Sequence, residues 1–424
     1  MRSIGLDVGR QFAEAAAIEP GGEVHRLGRI TASPAGLRAF AAGLGPDDAV
    51  VLEATANTWA IAELLAEHAG RVVVSNPLRT RAIAAAKTKT DQIDAATLAQ
   101  LLAADYLPEV WQPDAATQAL RRLVAHRAGL VRGRTGARNR VHAICARRLL
   151  SAPVSDLFGV AGRAWLDRLV LEPDERLALD AQMRLLATLE VEIDAAERAI
   201  AAHVLDDRRM RHLLTIPGVG LATAASLVAV IGDVGRFPRP HKLVSYLGLD
   251  PRVRQSGARP AFTGHISRAG QAHARGLLVE AAHAAVKVPG PLRGFFVRTR
   301  GRRGTGVAIV AVARKLTVLA WHLLADDVDY RWAPAVRSAE KLRRLELLGG
   351  ASKRFDLRGR RDGVKARRAA ELVRERVVLE QAEAAYVALV AARRGAHKKD
   401  AAATNGERLD GPALNGPGPA ARRS

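Results

Sequence analysis

Four carboxylates in the first hundred residues carry the chemistry that this sequence most plainly offers. Asp7 ends the apolar run Ser3-Ile4-Gly5-Leu6, Glu53 ends Val50-Val51-Leu52, and Asp91 and Asp94 open a helical pattern in Lys87-Thr88-Lys89-Thr90-Asp91-Gln92-Ile93-Asp94-Ala95. Residues three apart share a helix face, so Asp91 and Asp94 should project together. Two strand ends and one helix face would crowd four negative charges. Such crowding is tolerable when divalent cations neutralise it, and Mg²⁺ (or Mn²⁺) is a hard ion that prefers carboxylate and water oxygens. A pair of such ions, about 3.5 to 4 Å apart, can activate an attacking and a leaving oxygen in phosphoryl transfer. A glycine-flanked Asp after a strand also occurs in sugar kinases, so the joint pattern carries the reading rather than any one acid.

The expected substrate is a phosphodiester. The 424-residue chain holds 65 Lys and Arg against 43 Asp and Glu, a formal charge of +22, which favours polyanions through counterion release. A GC-rich coding bias towards Arg and Ala contributes to that balance as well. The single cysteine, Cys145, excludes an intramolecular disulfide and a cysteine-based zinc site. The N-terminus carries no leader-like run, and by this reading no apolar stretch approaches the length needed to cross a bilayer. A cytoplasmic protein with no membrane partner is therefore expected.

The elements that must position the acids follow from periodicity. Strands are expected at 3–8, 13–18, 24–30, 49–53 and 71–75, with helices at 34–42 and 59–68. Three strands followed by alternating helix and strand suit a ribonuclease-H-like α/β sheet. From Ala115 to Ser155 there is no acidic residue while nine arginines accumulate; Arg121, Arg127, Arg134 and Arg138 are the candidate phosphate contacts of a cationic helix. Leu179, Leu186, Ile193 and Ile200 then recur every seven residues, the pattern of a coiled-coil or helical-hairpin spacer, packed within the chain or against a second copy.

A further unit begins near Met210. There Thr215-Ile216-Pro217-Gly218-Val219-Gly220 between apolar runs resembles a helix-hairpin-helix, whose backbone N–H groups, at Gly218 and Gly220, would accept a phosphate oxygen. The loop Pro251 to Arg259 follows, then helices at 268–286 and 307–324, with Ser267 as an N-cap before Arg268. Beyond Asp326 the chain turns basic. The stretch from Gly395 to Ser424 has a disordered composition.

The four acids, with Asn76-Pro77 and the Lys-Thr-Asp-Gln-Ile-Asp-Ala run, resemble the N-terminal domain of the DEDD-type insertion-sequence transposases, the IS-one-ten group. The second half agrees, through Ile216 to Gly220, Tyr246-Leu247-Gly248-Leu249, Ser256-Gly257 and His265 to Gly270 followed by Leu277 to Ala282. Departures include Arg10 after Gly9 and Thr263-Gly264-His265, and none removes a candidate catalytic group. The resemblance implies a Holliday-resolvase-like metal domain at 1–155, a helical spacer at 165–207, a mostly α C-terminal domain at 208–325 and a basic, partly disordered tail at 326–424. It implies catalysis by Asp7, Glu53, Asp91, Asp94 and the nucleophile Ser256, on DNA at element ends and target, guided by a structured RNA, in a homo-oligomer (dimer or tetramer). Arg254, Arg259 and Arg268 would bind nucleic acid near the serine. Without the family, Ser256 reads as an ordinary loop serine. Two alternatives stand beside this one: a structure-specific DNA endonuclease or resolvase in which the acids activate water, and an inactive nucleic-acid-binding scaffold.

Overall fold

A computed structural model describes residues 1–84, 90–257, 260–351 and 361–406, the side chains of the last helix over 367–392 only. The chain forms two compact units, Met1–Asp114 and Ala115–Ser424.

The first unit is a five-stranded mixed sheet in the order β3-β2-β1-β4-β5, built from β1 (Arg2–Val8), β2 (Phe12–Ile18), β3 (Val24–Thr31), β4 (Asp48–Glu53) and β5 (Arg71–Ser75). β1 and β2 pair antiparallel, while β1, β4 and β5 run parallel. The strands alternate. Ile4, Leu6, Val50, Leu52 and Val74 point to one face, where they form a core with α1 (Pro34–Ala41) and α2 (Thr58–Ala66). α3 (Pro77–Ile83) starts at an Asn76 cap that accepts from the amides of Leu78 and Arg79. The opposite face is covered by α4 (Asp91–Ala103), whose Leu98 and Leu102 pack with Ala49, Val51 and Val73. A Cβ on Gly5 would overlap the Ala95 carbonyl and the Ala99 amide, so glycine is what lets α4 lie directly on β1.

The second unit opens with the long pair α5 (Ala115–Arg147) and α7 (Pro173–His203), with α6 (Val160–Asp167) between them in sequence. Arg127–Glu197, Arg138–Glu190 and Arg148–Glu175 ion pairs show that the two run antiparallel. The heptad stripe is consumed inside the chain: Leu179 and Leu186 pack with Ala137, Val141 and Ile144, and Ile200 with Leu120 and Val124. The basic helix, expected within a 1–155 domain, is thus part of the second unit. Its apolar stripe needs α7 as a partner.

After this pair come α8 (Arg208–Leu214), α9 (Leu221–Ile231), α10 (Pro240–Tyr246), the hairpin β6 (Pro251–Arg254) and β7 (Phe262–Ile266), and α11 (Ala272–Ala285). α12 (Pro291–Arg303), α13 (Thr305–Ala325), α14 (Ala335–Leu348) and α15 (Arg361–Gly406) complete the chain. α11 starts four residues later than expected, because Arg268 and Gly270 adopt positive φ of 57° and 79°. Ser267 is accordingly no N-cap. Its hydroxyl donates to Asp250 at 2.7 Å, and Gln271 is the residue before the helix.

α13 has the length and apolarity to cross a membrane, which corrects the expectation that no such stretch exists. Its Ile309, Val312, Ala313, Leu316 and Ala320 lie in the core of this unit. The chain beyond 325, read as a tail, also packs. Leu345 of α14 joins that core, and Arg293 of α12 pairs with Glu383 of α15 at 2.8 Å. Of the stretch from Gly395 onward, α15 takes the residues to Gly406, and 407–424 lie outside the described residues.

α8 and α9 form a helical hairpin around Ile216-Pro217-Gly218-Val219-Gly220. Gly218 has φ +80°, and a Cβ there would overlap the Ala281 carbonyl and the Ala285 amide of α11. Lys341 of α14 donates from Nζ to the Leu214 and Ile216 carbonyls, both at 2.8 Å, which satisfies acceptors left open at the end of α8. Burial and the charge of Arg337 push its ammonium down to about 8. An unfolded lysine titrates near 10.4, so between those values the unfolded chain binds more protons and stability rises with pH. We expect the wild-type protein to gain about 1–2 kcal/mol over Lys341→Met between pH 7.5 and 9.5 in urea unfolding. A flat difference across that range would mean that the ammonium is not desolvated.

Candidate functional site

The acid site begins with strand register. Leu6 of β1 lies opposite Leu52 of β4, so one residue further Asp7 stands beside Glu53, both at the ends of parallel strands about 4.8 Å apart. Alternation places both on the face that carries Gly5 and Val51, the face that α4 covers. Asp94 directly precedes Ala95, the residue of α4 seated on Gly5, and Asp91 is one turn before Ala95. Asp7, Glu53 and Asp94 are half-buried and Asp91 is exposed. Thr90 caps α4 by accepting from the Ile93 amide at 3.2 Å, and the helix dipole favours carboxylates in this first turn. Thus the structure gathers Asp7 and Glu53 on one edge and sets the start of α4 beside β1. Among the described residues, no three His, Cys, Asp or Glu side chains stand close enough to hold a metal ion. Lys87, Thr88 and Lys89 lie outside the described residues.

One acid escaped the sequence reading. Glu14 of β2 is paired directly across from Asp7, which puts Glu14, Asp7 and Glu53 abreast on three neighbouring strands. Its side chain is 8% exposed and accepts from Arg29 Nε of β3 at 2.7 Å. The charge that burial makes costly is therefore neutralised by a cross-strand partner. The only available signal was the lone acid in the strand Phe-Ala-Glu-Ala-Ala-Ala-Ile.

In the second unit, Ser256 is exposed, between the end of β6 and Gly257 at φ +58°. The base of this hairpin is fastened. The Ser267 amide donates to the Asp250 carbonyl at 2.7 Å, Ser245 and Ser267 hydroxyls donate to the Asp250 carboxylate, and Arg252 donates to the Ser267 carbonyl at 3.1 Å. Arg254 is exposed at the end of β6, Arg268 is exposed after β7, and Arg259 lies outside the described residues.

The arginines of α5 divide into two groups. Arg121 donates from Nε to the Ala229 carbonyl at 2.8 Å, and burial lowers its pKa. Arg127 pairs with Glu197 at 2.6 Å, and Arg138 pairs with Glu190 at 3.4 Å while its guanidinium stacks over Phe158. These residues, expected to contact phosphate, are tied to their own fold, because α7 supplies the acids that the segment itself lacks. Arg134 is half-buried, whereas Arg122, Arg132 and Arg140 are exposed. The imidazole of His273, in the first turn of α11, is held below its ordinary value by burial and then by Arg132 and Arg127. A positive field thus reaches from mid-α5 to the start of α11. Gly218 is packed on α11, and a Cβ at Gly220, the N-cap of α9, would meet no atom within 4 Å.

The first unit thus sets paired acids at the ends of neighbouring strands, and the second is a cation-rich helical unit that presents an exposed serine loop. Residues 4–147 match the DEDD transposase model of the IS110 group, and residues 210–296 match the model described as the transposase IS116/IS110/IS902 family. A putative transposase, y4qE, of Sinorhizobium fredii is 30% identical over 66% of this chain and 70% of its own length. The pilin gene-inverting protein of Moraxella lacunata is 28% identical over 66% of this chain and 80% of its own. A probable family 20 transposase of Pseudomonas aeruginosa is 34% identical over 34% of this chain, which spans 44% of that relative. The chain belongs to the IS110 group of insertion-sequence transposases, and the DEDD-type domain of that group points to dependence on a divalent metal.

The division among arginines has a measurable consequence. Arg122→Gln with Arg132→Gln should weaken nucleic-acid binding and reduce the slope of log K against log salt by about 1.4–1.8. Arg121→Met should leave that slope intact and cost about 1–3 kcal/mol in urea unfolding, since it strips donors from buried carbonyls. Equal salt slopes in all three proteins would return Arg122 and Arg132 to the solvated surface.

Proposed function

We propose that this chain is the recombinase of an insertion sequence, cutting and rejoining DNA at the element ends and target under the guidance of a structured RNA encoded by the element. The pairing of Asp7 with Glu53 beneath the helix that bears Asp91 and Asp94 carries this reading, in a chain whose second unit exposes Ser256. The first unit is taken as ribonuclease-H-like, and the α8–α9 hairpin as a helix-hairpin-helix contact to the backbone. The chain works on DNA in the cytoplasm as a homo-oligomer.

The donor set fits a hard divalent ion, because Asp7 and Glu53 are adjacent anionic oxygen ligands at one strand edge and Asp94 and Asp91 start the covering helix. Mg²⁺ or Mn²⁺ held there would supply charge neutralisation for an oxygen nucleophile and a leaving oxygen. Ser256 Oγ attacks phosphorus, a P–O bond to serine forms, the P–O bond to the departing sugar oxygen breaks, and that oxygen takes a proton from solvent and leaves as a hydroxyl. The hydroxyl proton of the serine passes to solvent or to a carboxylate. Arg252 and Arg254 flank the serine on β6 and offset charge building on the phosphate oxygens. Rejoining reverses the exchange, with a sugar hydroxyl displacing the serine. Glu14, neutralised by Arg29, keeps the sheet face acidic beside Asp7 without adding a net charge.

Incubation of labelled element-end DNA and the guide RNA with the protein and Mg²⁺ should yield a denaturant-stable protein–DNA adduct. Ser256→Ala should abolish the adduct and the recombination. Asp94→Asn should reduce recombination at least about a hundredfold, in line with loss of a charge-stabilising group, with nucleic-acid affinity nearly unchanged. Cleavage by Ser256→Ala without an adduct would instead favour a resolvase in which the acids activate water.

A further inference from the structure

α15 lies outside the residues matched by either family model, and it packs against α12 and joins α14 in closing a groove of about 310 Å³. The floor is apolar, from Val288, Leu372 and Leu379, and the walls carry Lys287, Arg293, Arg337 and Arg376. Among the described residues Glu375 is the one acid in this lining, and its carboxylate accepts from the Val336 amide at 2.7 Å at the start of α14. Arg293 is tied to Glu383 at 2.8 Å and Arg376 to Glu380 at 2.9 Å. By contrast Lys287 and Arg337 are exposed and make no ion pair among the described residues. The field on this wall is positive enough to be felt by its neighbour. Lys341, one turn beyond Arg337 on α14, is pushed down to about 8 by burial and by the charge of Arg337.

Lys287 and Arg337 against the single Glu375 carboxylate leave a net positive wall above an apolar floor, complementary to an anion attached to a small carbon framework. Among the described residues the lining has no aromatic ring to serve as a stacking platform and no Asn or Gln amide, so its polar groups are cations suited first to phosphate oxygens. A volume of this size takes one sugar and phosphate rather than a duplex. We propose that the groove binds a phosphodiester of a single-stranded sugar–phosphate backbone, with Lys287 and Arg337 on the phosphate oxygens and the adjoining sugar over Val288, Leu372 and Leu379. The assignment rests on the reading that this protein works on nucleic acid. It adds a sequence-independent contact that positions a strand, of the kind that phosphate contacts provide.

The test uses the full chain and a short labelled oligonucleotide of unstructured sequence, as DNA and as RNA, read by fluorescence anisotropy across a salt series. Lys287→Gln with Arg337→Gln should weaken binding five- to tenfold at about 0.1 M salt and reduce the salt slope by about 0.7, since roughly 0.7 counterions are released per single-strand phosphate. Val373 lines the groove and is exposed, so its substitution spares the fold. Val373→Lys should tighten binding and Val373→Glu should weaken it. A loss shared by DNA and RNA supports the backbone site, and a loss confined to RNA supports it and names RNA as the strand bound. Unchanged affinity and slope in the double variant, with Arg122→Gln and Arg132→Gln still effective, would overturn the groove assignment alone. Failure of the wild-type protein to bind either oligonucleotide would instead overturn the nucleic-acid reading.

Discussion

The first unit is organised by a constraint between like charges. Glu14, Asp7 and Glu53 stand abreast on one sheet face, and carboxylates directly opposite each other on neighbouring strands repel. The sheet resolves half of this conflict by itself. Arg29, one strand further out, neutralises Glu14 across the β2–β3 pair, and the least exposed of the three acids receives the counter-charge. The other two acids, Asp7 and Glu53, stand where the strands end and α4 arrives. Gly5 is the condition for that arrival, since any side chain there would hold the helix off the strand that bears Asp7. Register, glycine and helix start therefore form one requirement.

A comparable economy governs the second unit, where cations do structural work first. Arg121 supplies donors to the last carbonyls of α9, Arg127 and Arg138 tie α5 to α7, and Lys341 closes the end of α8. These groups hold the helical framework that carries the hairpin of Ser256, and the framework has little freedom to release them. A planar guanidinium suits the paired sites because it offers several donors in a fixed fork, while the buried lysine serves two carbonyls from a single nitrogen. Positive charge left over after these obligations is what remains available to an anion: Arg122, Arg132 and Arg140 on α5, Arg254 on the hairpin, Lys287 and Arg337 near α15.

Much of this was legible in the sequence, and the parts that were not have physical reasons. The five strands fall where alternation placed them: β1, β2, β4 and β5 are apolar on at least one face and bounded by turns, while β3 is exposed along almost its whole length. Asp7 and Glu53 were readable as strand-end acids. Glu14 was not, since it sits inside a strand whose remaining positions are mostly alanine, and its meaning depends on a cross-strand register that no local pattern encodes. The arginine-rich helix was recognised as a helix, but counting acids within its own segment missed Glu190 and Glu197, which lie 52 and 70 residues beyond their partners Arg138 and Arg127. The segment after Leu249 read as a loop because glycines and arginines conceal a short hairpin held by Asp250. α12 escaped notice because its arginines outnumber its apolar positions, Leu292 and Phe296 among them, and only Gly290-Pro291 and Gly304 mark its ends.

The placement of Ser256 follows from the same balance of fixed and uncommitted groups. Its hairpin is pinned at the base by Asp250, which accepts from two serine hydroxyls, while Gly257 at φ +58° bends the chain immediately after it. A loop fixed at its root and solvated at its tip can present a hydroxyl to a large polyanion, which a pocketed serine could not reach. The cations next to it in sequence are Arg252, tied to the Ser267 carbonyl, and Arg254, exposed at the end of β6.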